Sequence, residues 1–249
     1  MSLDSPSSLN SFFTCPYNWK LINVDGVQVV QVENLKGNLG SNIHHIIAEY
    51  YKNIGNSGVH IPSYAKEIEN IATQCFNTLF EPYLNKFKTT AEEMMKNFIK
   101  FEQSRLQNYV APQLIEKTLT NSNFKGIIDC FFTNGTVATI IDWKTGALMD
   151  LGDNERRQGK IYEILLRDNG YIKNERIVKI YFVTLRNGRV LELPFTTETW
   201  VMEQKKHKDA IINSGNFPKI ISPLCDWCNT QLSCEFNNIS LWSNLEESF

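Results

Sequence analysis

Residues 126–146, GIIDCFFTNGTVATIIDWKTG, constrain the fold more than any other segment. Two apolar runs, Phe124 to Phe132 and Val137 to Trp143, are joined by Asn134-Gly135, the dipeptide that best closes a two-residue hairpin. Each run carries one aspartate, Asp129 and Asp142. Antiparallel pairing about the turn brings the two carboxylates together in apolar surroundings. That placement is costly unless a cation joins them. Hard oxygen donors suit magnesium or manganese. Lys144 lies two residues beyond Asp142 and so shares its sheet face. An Asp-x-Lys on one face can hold a metal and set an ammonium beside an attacked phosphate.

Around this hairpin the periodicity changes several times. Trp19 to Val24 and Val27 to Val32 are β-like, with Asp25-Gly26 between them as a hairpin signal, and residues 1–14 are expected to be loose up to Phe12 and Phe13. Gly40 opens a helical segment with Ser41 as its cap, and Ile61 to Val110 is helical throughout, with a capping box at Thr90 and Glu93. Leu114 to Leu119 is a third strand. Residues 154–168 form a helix, Arg176 to Leu185 and Arg189 to Leu193 are strands turned by Asn187-Gly188, and Thr197 to Asn213 is a helix. This order predicts α/β architecture with a mixed sheet. The expectation is a single domain over 1–249, with an arm and hairpin over 1–39, a helical section over 40–110, a core over 111–215 and a tail over 216–249.

The six cysteines are unevenly placed. Cys225, Cys228 and Cys234 crowd an irregular tail and call for a fourth ligand, as a tetrahedral zinc or a 4Fe–4S cluster would. Cys75 sits on an apolar helical stripe and Cys130 on a core strand, which leaves Cys15. The N-terminus has neither a basic stretch nor a long apolar run, and no apolar segment approaches a bilayer span. The expectation is therefore a cytoplasmic or otherwise reducing compartment, where clustered cysteines bind metal. The net charge of -2 excludes a uniformly basic nucleic-acid binder. Residues 144–208 nevertheless carry an excess of four positive charges. They include Arg156, Arg157 and Lys160, candidates for phosphate contact, with Trp143 and Tyr162 as rings on which bases could stack.

The ordered set of motifs resembles the PD-(D/E)XK nuclease superfamily, and within it the RecB-like branch that includes CRISPR-associated exonucleases. The matching features are Cys15-Pro16, Gly40-x-x-x-His44, Glu116, Gly126-x-x-Asp129, Asp142-Trp143-Lys144-Thr145-Gly146, Gln158-x-x-x-Tyr162, and Phe217-Pro218 before the cysteines. The resemblance implies a restriction-endonuclease-like core with an N-terminal helical insertion and a tail stapled by an iron–sulfur cluster. It implies Mg2+ or Mn2+ held by His44, Asp129, Asp142 and the Trp143 carbonyl, with His45 as the alternative histidine. Lys144, Glu116, Gln158 and Tyr162 would complete the catalytic group. Cys15, Cys225, Cys228 and Cys234 would hold a 4Fe–4S cluster, with zinc as its competitor. The implied activity is a metal-dependent DNA exonuclease acting on single strands or ends. A flap or structure-specific endonuclease, a non-catalytic DNA-binding or partner subunit, and an iron–sulfur redox protein are the alternatives. No helicase motif accompanies the set, so unwinding would fall to a helicase or a recombination or replication partner.

Overall fold

The structure, a computed structural model, describes residues 3–29, 34–56, 65–108, 110–173 and 177–234. The chain forms two compact units, Met1–Pro6 with Asn34–Val201 and Ser7–Glu33 with Met202–Phe249.

The first unit is built on one mixed sheet in the order β1 (Leu114–Thr120), β2 (Lys125–Thr133), β3 (Val137–Lys144), β4 (Ile177–Thr184), β5 (Arg189–Glu192). Neighbours run antiparallel except β3 and β4, which are parallel and joined by the crossover helix α6 (Asp153–Asp168). The β2–β3 turn forms as its chemistry requires. Gly135 takes φ +94°, and Asn134 Oδ1 accepts from the amides of Thr136 and Val137. Asn187-Gly188 turns β4 into β5, with Gly188 at φ +69° and its amide donating to Thr184 O.

Helices cover both faces of the sheet. On one, α3 (Leu35–Asn56), α4 (Ala65–Leu79) and α5 (Lys88–Ser104) bury Ile43, Ile46, Ile47, Tyr50, Tyr51, Ile68, Met94 and Phe98 against Cys130, Ile141, Trp143, Val183 and Leu185. Phe98 and Phe101 meet the Trp143 indole edge-on at 5.4 and 5.3 Å. On the other face α6 lies close because Gly126 and Gly159 have no side chain. A Cβ on Gly159 would stand 2.6 Å from Leu193 and 3.2 Å from Ile180. One on Gly126 would stand 3.0 Å from the Tyr162 ring.

Three local expectations are corrected. Helix α3 begins at Leu35, so Gly40 and Ser41 lie inside it. A Cβ on Gly40 would stand 3.0 Å from Thr145 Oγ1, so the glycine serves close approach to the end of β3. Helix α5 begins at Lys88 after a 3-10 turn, Pro82–Phe87, and Thr90 falls in its first turn instead of capping it. Residues 61–64 lie outside the described residues.

The second unit overturns the N-terminal hairpin. Residues 6–14 are helix α1 (Pro6–Thr14), with Leu9 and Phe12 fully buried, where a loose segment was expected. Trp19 to Asn23 belongs to α2 (Pro16–Asn23), not to a strand. Its Pro16 occupies the first helical turn, and the Cys15 sulfur accepts from the Asn18 amide at 3.5 Å. That capping outweighs the β propensity of tryptophan and isoleucine. Asp25-Gly26 marks the helix exit, with Gly26 at φ +67°. Residues 30–33 lie outside the described residues. Helix α7 (Glu198–Ser214) matches expectation within a residue, and the tail holds two 3-10 turns, Pro223–Trp227 and Gln231–Ser233. Among the described residues no helix is long and apolar enough to cross a membrane.

Candidate active site

The site assembles where α3, β1, β2, β3 and α6 meet. The β2–β3 register pairs Cys130 with Ile141, so one step further Asp129 comes opposite Asp142. Both carboxylates are buried. Asp129 Oδ2 accepts from the Trp143 amide at 2.9 Å. Burial first, and the Asp142 charge second, hold Asp129 well above the usual carboxylate range.

Across β1 the ladder is broken at this point. Ile115 pairs with Cys130 and Lys117 with Ile128, while Glu116 and Asp129 drop out of the pairing. Glu116 has φ +46°, the left-handed region that a non-glycine residue enters at a cost. The register is the same on either side of this gap, and the turned backbone places the Glu116 carboxylate against His44, with Oε1 to Nδ1 at 3.0 Å.

His44 reaches the same point from α3. Its Nε2 lies 2.9 Å from the Trp143 carbonyl and its Nδ1 lies 3.6 Å from Asp129 Oδ2. Every close neighbour of the two ring nitrogens is an acceptor, so both nitrogens carry hydrogen. Burial alone would lower the imidazole pKa. The hydrogen bond to Glu116 and the charges of Asp129, Glu116 and Asp142 outweigh it and raise the value to about 9. His45, the alternative, is exposed.

From the opposite face α6 supplies Gln158. Its amide nitrogen donates to Asp142 Oδ1 at 2.6 Å and to the Tyr162 hydroxyl at 2.8 Å, and its carbonyl accepts from Lys144 Nζ at 2.7 Å. Lys144 also pairs with Asp142 Oδ2 at 2.8 Å and rests 5.2 Å above the Phe182 ring. Gln158 and Tyr162, one helical turn apart, therefore organise the Asp142–Lys144 pair from one side. Burial, then the charges of Asp142 and Asp129, push the Tyr162 phenol upward and keep it protonated. Phe182 drew no attention in the sequence. The signal was its register, since it pairs with Asp142 across the parallel ladder.

Among the described residues, His44, Glu116 and Asp129 form the one group of three whose ligand atoms lie within 4.8 Å of one another. One nitrogen and two oxygens beside the Trp143 carbonyl suit a hard divalent cation, and such a cation would favour the ionised Asp129 carboxylate that burial and the Asp142 charge disfavour. The residues present fit the metal. Asp142 stands beside this trio, turned toward Lys144 and Gln158.

The expected DNA contacts are placed less favourably. Arg157 is buried, bonded to Asn154 Oδ1 at 2.7 Å and 6.0 Å from the Trp200 ring. Lys160 pairs with Glu163 at 2.9 Å with little exposure. Arg156 remains substantially exposed, 3.9 Å from Asp153. The Trp143 and Tyr162 rings are both buried and offer no face to a base.

In the second unit, Cys15, Cys225, Cys228 and Cys234 are free, half-buried thiols. Asn18, on the first turn after Cys15, accepts from Cys228 Sγ at 3.6 Å and from Thr230 Oγ1 at 2.6 Å. Two of the four thiols thus share one asparagine. They are not drawn to the spacing of about 3.8 Å that a single tetrahedral zinc with 2.3 Å bonds imposes. Cys75 and Cys130 are buried in the helical core.

A family model for the PD-(D/E)XK nuclease superfamily matches residues 4–235. The chain belongs to the PD-(D/E)XK nuclease superfamily. A crystal structure of a candidate exonuclease from Eubacterium rectale aligns over 99% of this chain and 94% of its own, at TM-score 0.53 and 14% identity, which shows the shared fold. A second solved structure, SSO0001, aligns over 81% of this chain and 94% of its own at TM-score 0.34 and 12% identity. No curated protein sequence matches. Superfamily membership makes the five-stranded sheet a restriction-endonuclease-like core and supports nuclease activity with a divalent metal.

Proposed function

We propose that the protein is a metal-dependent deoxyribonuclease of the RecB-like branch, an exonuclease that hydrolyses single-stranded DNA or DNA ends. One observation carries this reading: Gln158 bonds Lys144, Asp142 and Tyr162 at once. It joins the Gln-x-x-x-Tyr motif that marks the branch to the Asp-x-Lys motif of the superfamily.

In this reading His44, Glu116, Asp129, Asp142 and the Trp143 carbonyl hold Mg2+ or Mn2+. The bound metal supplies a water of lowered pKa and polarises the phosphate. The chain does the rest. Lys144, fixed between Asp142 and Gln158 over the Phe182 ring, presents an ammonium to charge developing on the phosphate. Gln158 prevents that ammonium from swinging to solvent. Tyr162, held protonated by burial, remains a neutral hydrogen-bonding group beside two carboxylates. His44, hydrogen-bonded to Glu116 and the Trp143 carbonyl, would give up one ring proton to serve as a ligand.

We further propose that Cys15, Cys225, Cys228 and Cys234 hold a 4Fe–4S cluster that staples the second unit. Asn18 already links two of the thiols. A cubane, which spends one thiolate on each of four irons, spaces its ligands more widely than one zinc does.

The test is degradation of end-labelled single-stranded DNA with Mg2+ or Mn2+. Asp142→Asn and Lys144→Met each reduce the rate by about a hundred- to a thousandfold on the scale of lost transition-state charge stabilisation. Full activity in both variants sinks the assignment. Iron and acid-labile sulfide analysis of anaerobically purified protein tests the cluster; zinc alone in that protein overturns it.

A further inference from the structure

We propose that the β4–β5 hairpin is a second strand-binding element, with Arg189 taking a backbone phosphate of the same strand whose scissile phosphate meets Lys144. The proposal rests on the nuclease reading of the Asp142–Lys144 site and adds a contact to it.

The register places Arg189. Across the parallel ladder Lys144 pairs with Thr184, and across the next ladder Thr184 pairs with Arg189. Paired residues in a ladder project to the same face. Lys144 and Arg189 therefore stand in one row on one face of the sheet, at the carboxyl end of its parallel pair. In open α/β sheets that end is where ligands bind. Two inter-strand spacings separate their backbones by about 10 Å. At a rise of about 3.4 Å per nucleotide this is roughly two to three nucleotides of a stacked strand.

Hydrogen bonds tie the hairpin to the β3 end. The Leu185 amide donates to Lys144 O at 2.8 Å, and the Leu185 carbonyl accepts from Asn97 Nδ2 at 2.8 Å. The fully buried Thr184 hydroxyl contacts Asn187 Oδ1 and accepts from the Arg189 amide at 3.1 Å. A phosphate site on this turn would need little ordering on binding, which is where loose surface arginines lose their affinity.

Arg189 is exposed, and so is Arg186 on the turn. The Arg189 side chain donates to Met149, its Nη1 lying 2.6 Å from the carbonyl and 3.8 Å from the sulfur. Nε and Nη2 stay available in a fork suited to phosphate. Met149 lies on the loop that follows Thr145-Gly146 and is itself 66% exposed. The bland alternative is that Arg189 merely staples this loop to β5. The two roles differ in how they respond to salt.

The experiment measures binding of a fluorescein-labelled oligo-dT by the full-length protein in EDTA, from 50 mM to 1 M salt. A phosphate contact to a single strand contributes about 0.7 to the slope of log K against log salt. Arg189→Ala is expected to lower the slope by about that amount, so that binding weakens about eightfold at 50 mM and converges with the wild type near 1 M. Arg189→Lys is expected to restore most of the slope. Lys66→Ala, which removes an exposed lysine of α4, is the control and leaves it unchanged. A wild-type slope in Arg189→Ala, with or without a lowered melting temperature, means a loop staple and overturns the proposal. An equal loss in Lys66→Ala means diffuse charge and overturns it too. A wild-type protein that shows no salt-dependent binding removes the DNA reading as well, so the two failures are told apart.

Discussion

Glu116 occupies a backbone conformation that its residue type disfavours, and this gives a prediction with a reversed sign. In an ordinary strand, glycine is less stable than alanine by roughly 0.5–1 kcal/mol, because it has more freedom to lose. At φ +46° the order inverts, since Cβ crowds the following carbonyl at a cost of about 1–2 kcal/mol and glycine escapes it. Glu116→Ala and Glu116→Gly lose the same carboxylate and the same contact to His44. Their difference therefore isolates the strain. We expect the glycine variant to be the more stable by about 1 kcal/mol, or about 2–4 °C in melting temperature for a chain of this size.

Metal-free protein, melted with circular dichroism and checked by urea titration, reads the difference. Both variants should also lose nuclease activity, so that Glu116→Gly gains conformational ease relative to alanine without regaining function. Such a result shows strain kept for the site. If Glu116→Ala is as stable as Glu116→Gly or more so, the left-handed conformation is not stored in the native protein and the argument fails.

Three other outcomes follow from the same geometry. Gly126→Ala sets a methyl 3.0 Å from the Tyr162 ring and 3.1 Å from Leu165, which should cost about 1–3 kcal/mol by overpacking and lower kcat as Tyr162 and Gln158 shift; differential melting and single-turnover kinetics check it. Arg105→Met strips the cationic partner from the fully buried Glu102, which it meets at 2.6 Å, and leaves the Tyr51 hydroxyl as its donor at 2.8 Å; the change should cost about 3 kcal/mol, with much of that recovered in the Glu102→Met, Arg105→Met double variant. His44, raised to about 9 from 6.5, contributes stability that is full below pH 6.5 and lost as pH rises through 9; the metal-free wild type should lose about 3 kcal/mol relative to His44→Asn over that window, measured by urea denaturation at its two ends.

The nuclease half of the fold was legible because its turns carry their own instructions. Asn134-Gly135 and Asn187-Gly188 fix two hairpin registers, and with them the facing of Asp129 and Asp142 and the shared face of Asp142 and Lys144. Helix α6 follows from its 3.6-residue apolar period. The N-terminal segment misled because Trp19, Leu21 and Ile22 favour strands intrinsically, while Pro16 and the Cys15 cap decide for a helix. Arg157 reads as a surface cation on its own helix. Its burial depends on Asn154 and on Trp200, which comes from a later helix. The Gly40-x-x-x-His44 spacing favours His44 over His45, and the packing of Ile43, Ile46, Ile47 and Tyr50 sets which side of α3 meets the sheet.

The break at Glu116 and Asp129 was the least legible feature, and it is what lets the site exist. Gly126 faces Tyr162 and Leu165 on α6, whereas Cys130, an even number of residues along the same strand, packs in the core of α3, α4 and α5 on the other face. Strict alternation would put both on one face. The phase shift between them falls where the β1–β2 ladder lapses. Asp142 stays with Gln158 on the α6 side, while Asp129 and Glu116 come within reach of His44 from the opposite side. A site fed by helices from both faces of a sheet needs one strand pair that abandons the pleat.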